Sequence, residues 1–187
     1  MTIDHILDSI YFLPEQSRFV MKQCFSEIKQ AKGSILMATN KVENRLYFIK
    51  KGIVHAYINA VDQKITFWFG KEGDPVLSMR SYVANQKGYE EIELLEDCEL
   101  YEINALQLQN LYEQDIHIAN WGRKFAEKEL IKTEERLISR QFRTATERYN
   151  DLIKTNPDLL QRVQLGHIAS YLGITQVSLS RIRADIK

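Results

Sequence analysis

The sequence predicts an α+β protein, with an antiparallel β sandwich or barrel in its first part and helices in its second. Short strand-like runs follow one another from about residue 27 to residue 103. After Asn104 the apolar residues recur mostly three to five positions apart, as on a helix. Gly173 then separates two short apolar-patterned segments. These features place the strands first and the helices after them.

A helix is predicted ahead of the strands, over the segment PEQSRFVMKQCF that begins at Pro14. Proline is favoured at the first helical position because its missing N–H would have no partner there. Phe19, Val20, Gln23 and Cys24 lie on related turns of this helix.

Six runs of five to eight residues predict strands, namely SILMA, RLYFIKKG, IVHAYINA, KITFWFG, EEIELLE and CELYEI. In IVHAYI, the residues Val54, Ala56 and Ile58 share one face, which is the alternation of a half-buried strand. Glycines and the pair Asp62-Gln63 stand between runs at turn positions. Many short strands at regular spacing are typical of an antiparallel sandwich or barrel.

Three helices are predicted after the strands. NALQLQNLYEQ is a short one, and DIHIANWGRKFAEKELIKTEERLISRQF is a long one that contains no proline. The long helix either packs only on its own sheet domain or also pairs with its twin in a homodimer. TATERYNDLIKT predicts a third, which ends at Asn156-Pro157 because the residue before proline is pushed out of helical geometry.

The segment HIASYLGITQVSLSRI predicts two further helices joined by a sharp turn. Gly173 lies where a helix ends in the left-handed conformation, which glycine adopts at low cost. Thr175 is placed to cap the next helix, because its hydroxyl can accept an unpaired backbone N–H. Such a pair is either an ordinary αα corner or a DNA-binding helix-turn-helix.

The outward face of the last helix favours the DNA-binding interpretation. Gln176, Ser178, Ser180 and Arg181 are of types that hydrogen-bond base edges and phosphates. The whole chain carries 25 basic and 25 acidic residues, yet residues 139–187 have eight Lys or Arg against four Asp or Glu. A basic C-terminal part is consistent with an anionic partner.

The sequence lacks the patterns of common enzymes and metal sites. It contains no GxSxG, P-loop or GxGxxG motif, and its four histidines lie at no metal-ligand spacing from other ligand types. The acidic pairs, Glu90-Glu91 among them, are interpreted as solvated, and Cys24 and Cys98 as buried free thiols. We therefore expect no catalytic residues, no enzymatic activity and no metal site.

No secretion signal and no apolar run of about 18 residues is visible. We therefore expect a soluble protein of the cytoplasm that does not interact with a membrane.

The order of these parts resembles the Crp/Fnr family of bacterial transcription regulators. YFIKKGIVHAYI, with Gly52 at its turn, is similar to that family's strand-turn-strand, and KEGDPV to its Gly-Asp turn. LEDCELYEI is similar to the last strand of its β-roll, and LGHIASYLGITQVSLSRI matches its helix-turn-helix most closely. The resemblance implies a cyclic-nucleotide-binding-like β-roll of jelly-roll type at 1–113, a long dimerisation helix at 114–138 and a helix-turn-helix domain at 139–187.

By this resemblance residues 175–183 form the recognition helix. Its expected DNA contacts come from Thr175, Gln176, Val177, Ser178, Ser180, Arg181 and Arg183. Members that read a TGTGA-type half-site carry other residues at Gln176 and Val177; glutamine can pair with adenine and valine can touch a thymine methyl, so we expect a different operator. Because the sequence stops at Lys187, the family's β-hairpin wing is expected to be truncated or absent. Arg181, Arg183 and Lys187 would then supply part of its phosphate contacts.

The same resemblance places an effector pocket at Ser78, Met79, Arg80, Gly88 and Tyr89. Members that bind cyclic AMP carry a glutamate where this chain has Ser78 and an Arg-Ser pair where it has Gly88-Tyr89. A buried cyclic phosphate needs a paired cation and convergent donors, which Gly88 cannot provide. Two scattered cysteines cannot hold an iron–sulfur cluster. We expect no cofactor and no cyclic AMP, whereas another small effector stays open.

The sequence thus predicts a homodimeric, sequence-specific DNA-binding transcription regulator. Its expected partners are double-stranded DNA, a second copy of the chain, an unidentified small effector and, by the resemblance, RNA polymerase. The alternative is a ligand-sensing or protein-interaction module whose C-terminal helices no longer bind DNA.

Overall fold

The computed structural model of the chain describes residues 1–61 and 63–185. Asp62 of the predicted turn and Lys187 lie outside the described residues. The truncation or absence of the family's β-hairpin wing stays a prediction. The strands are β1 Ser26–Gln30, β2 Ile35–Met37, β3 Arg45–Lys51, β4 Val54–Asn59, β5 Lys64–Gly70, β6 Pro75–Val76, β7 Glu91–Leu94 and β8 Cys98–Asn104. The helices are α1 Ile3–Ile10, α2 Glu15–Gln23, α3 Met79–Ala84, α4 Ala105–Gln114, α5 Ile116–Phe142, α6 Ala145–Thr155, α7 Leu159–Arg162, α8 Leu165–Leu172 and α9 Gln176–Asp185.

The strands form two four-stranded antiparallel sheets, in the orders β1-β8-β3-β6 and β2-β7-β4-β5. Side chains of both sheets meet in one core, where Tyr47 and Ile49 of β3 pack with Val54 and Ala56 of β4. Neighbouring residues of β3 point the other way, because successive side chains of a strand alternate between faces. The predicted α+β class with an antiparallel roll is therefore confirmed.

The N-terminal helices cover the outer face of the first sheet. Phe48 of β3 packs there against Trp121 and Phe125 of α5, together with residues of α1 and α2. The indole N–H of Trp121 donates a hydrogen bond to the carbonyl of Leu7 at 3.0 Å. This core fixes the first half of α5 to the roll.

The long helix has the limits that its apolar pattern predicted, and they differ by a few residues from the 114–138 that the resemblance implied. Gln114 belongs to α4, and Asp115 caps α5 by accepting the backbone N–H of His117 at 2.8 Å. The helix ends at Phe142, past the implied residue 138, and Thr144 begins α6 with a capping box. The limits of the three predicted domains stay a prediction.

The C-terminal helices form a third core that also reaches the roll. Ile168, Leu172 and Leu179 are buried with residues of α6 and α7, and Ile53 of the roll joins them. The last helices are therefore packed on the roll, and α8 lies against β5.

Candidate nucleic-acid interface and effector pocket

The corner between α8 and α9 has the predicted construction. Gly173 ends α8 with a φ of 70°, in the left-handed region. The backbone N–H of Ile174 donates to the carbonyl of Ala169 at 3.0 Å. The hydroxyl of Thr175 accepts the backbone N–H of Ser178 at 3.1 Å, which caps α9. A Cβ on Gly173 would lie 2.7 Å from the guanidinium of Arg140, the movable end of a long side chain, so the main requirement for glycine is the φ of 70°.

One face of α9 is buried and the other carries the predicted DNA-binding residues. Leu179 is fully buried and holds the helix on the third core. The exposed residues are Thr175, Gln176, Val177, Ser180, Arg181 and Arg183, and Ser178 is half-buried. The structure thus brings all seven predicted residues to one short helix and its cap, with their polar edge in solvent.

All three hydroxyls of this set are already used within the helix and its cap. The hydroxyls of Ser178 and Thr175 lie 3.0 Å apart, and the Ser180 hydroxyl donates to the carbonyl of Gln176 at 3.0 Å. The guanidinium groups of Arg181 and Arg183 form no ion pair among the described residues. The side chains that remain available for a ligand are therefore those of Gln176, Arg181 and Arg183.

Several arginines of the basic C-terminal part have structural partners instead. Arg140 of α5 donates to the carbonyl of Tyr171 at 2.9 Å, and Arg148 of α6 donates to that of Leu172 at 2.8 Å. Both carbonyls belong to the last turn of α8, which lacks partners inside the helix and attracts cations. The excess of basic residues in the sequence did not distinguish these arginines from exposed ones.

A half-buried ion cluster joins α7 to the roll. The Arg162 guanidinium donates to Glu72 at 2.8 and 3.1 Å and to Glu96 at 2.6 and 3.0 Å. Burial by itself would raise the pKa of Glu72, but hydrogen bonds from Arg162 and from the Gly52 N–H lower it to about 2. The carboxylates of Glu96 and Glu72 raise the pKa of Arg162.

The predicted effector residues do not all lie together. Ser78 is 3% exposed, and its hydroxyl has no hydrogen-bond partner among the described residues. Gly88 is adjacent, since a Cβ there would lie 2.7 Å from that hydroxyl. Met79, Arg80 and Tyr89 are exposed, and Arg80 donates to Gln86 at 3.0 Å.

The interpretation of Glu90 and Glu91 as solvated was wrong. Glu90 is only 6% exposed, and its carboxylate accepts the backbone N–H of Tyr89 at 3.0 Å. The same carboxylate lies within 3.4 Å of the position of a Gly88 Cβ, and Glu91 accepts the hydroxyl of Tyr57 at 2.6 Å. An anion therefore occupies the neighbourhood of Ser78 and Gly88, which disfavours a second anion there.

Two kinds of feature are absent from the described residues. No group of three or more His, Cys, Asp or Glu side chains among them is arranged to hold a metal ion. None of their helices is both long enough and apolar enough to span a bilayer. Cys98 is buried and Cys24 is half-buried, both as free thiols.

Residues 27–115 match the family model of the cyclic nucleotide-binding domain. No curated protein matches the sequence. Among solved structures, FixK2 from Bradyrhizobium japonicum is similar with a TM-score of 0.74 and 19% identity, over 87% of this chain and 84% of that one. A Crp/Fnr-family regulator from Eubacterium rectale has a TM-score of 0.71 and 16% identity, over 91% and 82% of the two chains. A mutant of CooA from Carboxydothermus hydrogenoformans has a TM-score of 0.70 and 20% identity, over 99% and 84%.

These similarities extend over the roll, the long helix and the C-terminal helices together, in agreement with the order of parts seen in the sequence. Residues 27–115 are therefore similar to a cyclic nucleotide-binding domain, and the chain as a whole has the fold of the Crp/Fnr-family regulator from Eubacterium rectale and of FixK2 and CooA.

Proposed function

We propose that the chain is a cytoplasmic, homodimeric transcription regulator that binds DNA in a sequence-specific manner through α9. The observation that carries the proposal is the exposed polar edge of α9 on a corner that Gly173 and Thr175 fix in place. Gln176 would read a base edge, and Arg181 and Arg183 would contact phosphates. This is a binding role and needs no catalytic group.

The second half of α5 supports a homodimer. Leu130, Ile131, Leu137 and Ile138 are all exposed there, although they are large and apolar. Residues seven apart on a helix lie almost on one line, so the two pairs form a stripe along α5. A second copy of the helix, related by two-fold symmetry, would bury this stripe. Two α9 helices could then enter successive major grooves about 34 Å apart on a palindromic site.

We propose that the roll responds to a small effector other than cyclic AMP, or to none. The buried carboxylate of Glu90 lies where the phosphate-binding pair of cyclic AMP binders would be expected, and no cation is paired with it in the described structure. A cyclic phosphate at this place would lose its hydration without gaining a cation. Cyclic AMP should therefore produce no shift in the melting temperature.

Selection of bound DNA from a random pool tests the main proposal and returns the operator at once. Affinity for the selected sequence should fall steeply between roughly 50 and 200 mM salt, because phosphate contacts release counterions. Arg181→Ala should lower the slope of log K against log salt by about one, and Gln176→Ala should weaken the selected site by about tenfold while leaving random DNA unchanged.

A matched control keeps the interpretation specific. Lys29→Ala removes one positive charge, as Arg181→Ala does, but from an exposed position on β1 of the roll. It should leave the salt dependence of DNA binding unchanged. Absence of an enriched sequence, or binding that does not depend on salt, would instead support the module that has lost DNA binding.

A further inference from the structure

The first helix of the helix-turn-helix is docked on the edge of a sheet. β5 is an edge strand, and the hydroxyl of Ser170 in α8 accepts the backbone N–H of Thr66 at 2.9 Å. The same hydroxyl donates to the carbonyl of Lys64 at 3.0 Å. One serine thus replaces part of a missing neighbour strand.

Two histidines meet at this seam, one from each side. His55 of β4 points out of the roll and His167 of α8 points toward it, with ring centroids 4.6 Å apart. His55 is completely buried, whereas His167 is half-buried. The helix α8 therefore covers His55, and only its departure from the roll would give this ring access to water.

The surroundings of His55 suit a neutral ring. Its Nδ1 lies 3.3 Å from the Thr66 hydroxyl, and its Nε2 has no hydrogen-bond partner among the described residues. The nearest carboxylate oxygen, Oε2 of Glu93, is 3.5 Å from Nε2 and is already bound by the Lys64 ammonium at 3.1 Å. A protonated His55 would be a buried cation without a carboxylate of its own.

The titratable and charged groups on the elements around His55 are few. They are Tyr57 on β4, whose ring centroid is 4.9 Å away, Lys64 on β5, Glu91 and Glu93 on β7, and His167 on α8. Glu93 is already paired with Lys64, and Glu91 is bound by the Tyr57 hydroxyl at 2.6 Å, so neither carboxylate is reserved for a positive charge on one of the histidines.

We propose that the contact between His55 and His167 is an acid-sensitive latch, which holds the helix-turn-helix on the roll at neutral pH and releases it when the rings become protonated. The latch concerns two parts of one chain and does not depend on whether the chain binds DNA.

The direction of the pH effect follows from the two states of His55. Burial, with His167 next to it, lowers the pKa of His55 in the docked state to about 4, and burial also lowers the pKa of His167. In the released state the pKa of an exposed histidine is about 6.5. Docking is therefore favoured above that pH and weakens as the pH falls from about 6.5 toward 4. For His55 alone, the equilibrium constant for docking α8 on the roll should be about fourfold lower at pH 6, and about tenfold lower at pH 5.5, than well above pH 6.5.

Hydrogen exchange of the full chain, followed by NMR, tests the latch. The backbone N–H of Thr66 donates to Ser170 across the seam, so its protection reports docking. After correction for the intrinsic exchange rate, this protection should fall about tenfold between roughly pH 7.5 and 5.5. The amide of Leu100, inside the β8 strand of the roll, should keep its protection and shows that the roll stays folded.

Variants separate the latch from other titrations. His167→Gln, at a half-buried position, should reduce the pH dependence of Thr66 protection, and the double variant with His55→Gln should remove it. His117→Gln changes an exposed histidine of α5 and should keep the tenfold fall. Equal Thr66 protection at both pH values in the unaltered chain, or a tenfold fall that survives in the double variant, would overturn the proposal.

Discussion

Replacing Arg162 by methionine should lower the free energy of unfolding by about 2 kcal/mol near pH 7, because it leaves two half-buried carboxylates without a cation. Methionine keeps the apolar stem of the side chain and removes only the guanidinium group. That group binds both Glu72 and Glu96 with two hydrogen bonds each. The affected contact joins α7 to the roll, so the variant also loosens the seam.

The magnitude comes from the pKa of Glu72. Its change from 4.5 to about 2 on folding corresponds to about 3 kcal/mol of preference for the charged form. The Gly52 N–H, at 2.9 Å from the same carboxylate, supplies part of this and stays in the variant. The pKa of Glu72 is lower in the folded chain than in the unfolded chain. Its contribution to the free energy of unfolding is therefore complete above pH 4.5 and is lost as the pH falls from 4.5 toward 2.

Urea denaturation of the unaltered chain and of Arg162→Met, near pH 7 and near pH 3, measures the loss in the free energy of unfolding. This loss should shrink by more than about half at the lower pH. Arg143→Met is the matched control, since Arg143 pairs with Asp151 at 3.1 Å and both side chains are about half exposed. An exposed pair contributes about 0.5 kcal/mol. Equal losses in the two variants, or a loss from Arg162→Met that does not change with pH, would refute this reasoning.

Three further predictions concern the corner and the long helix. Gly173→Ala should destabilise the chain by about 2 kcal/mol, measured by urea denaturation, because alanine is strained at a φ of 70° and its Cβ would displace Arg140. Leu179→Ala should cost about 3 kcal/mol in the same assay, because it leaves a cavity beneath α9; a smaller loss than that of the exposed Val177→Ala would contradict the packing. Leu130→Glu with Leu137→Glu should convert the proposed dimer to a monomer in sedimentation experiments, whereas an unchanged mass would exclude α5 as the interface.

The features that the sequence predicted correctly depend on neighbours along the chain. The αL end at Gly173, the cap at Thr175 and the end of α6 at Asn156 each follow from a few consecutive residues. The strand runs were recognised for the same reason. β1 was missed because its sequence SEIKQ has a single large apolar residue, Ile28, and is held mainly by its pairing with β8.

The parts that could not be predicted depend on residues that are distant in sequence. His55 and His167 have no shared motif, and their contact exists only because α8 packs on the outer face of β4 and β5. The same packing explains why both faces of IVHAYI are buried, whereas the alternation predicted one exposed face. Glu90 was misread because its charged neighbours in the sequence do not reveal that the folded chain buries it, at 6% exposure, next to Gly88.

The corner that presents α9 is attached to the rest of the chain from two sides. Arg140 and Arg148, from α5 and α6, bind the last carbonyls of α8, while Ser170 and Arg162 bind the roll. A shift of the roll relative to the second half of α5 cannot preserve both sets of contacts, because packed elements have discrete arrangements and do not deform continuously. We therefore expect that a change at the seam, such as the proposed protonation, alters the orientation of the exposed face of α9 relative to the second half of α5.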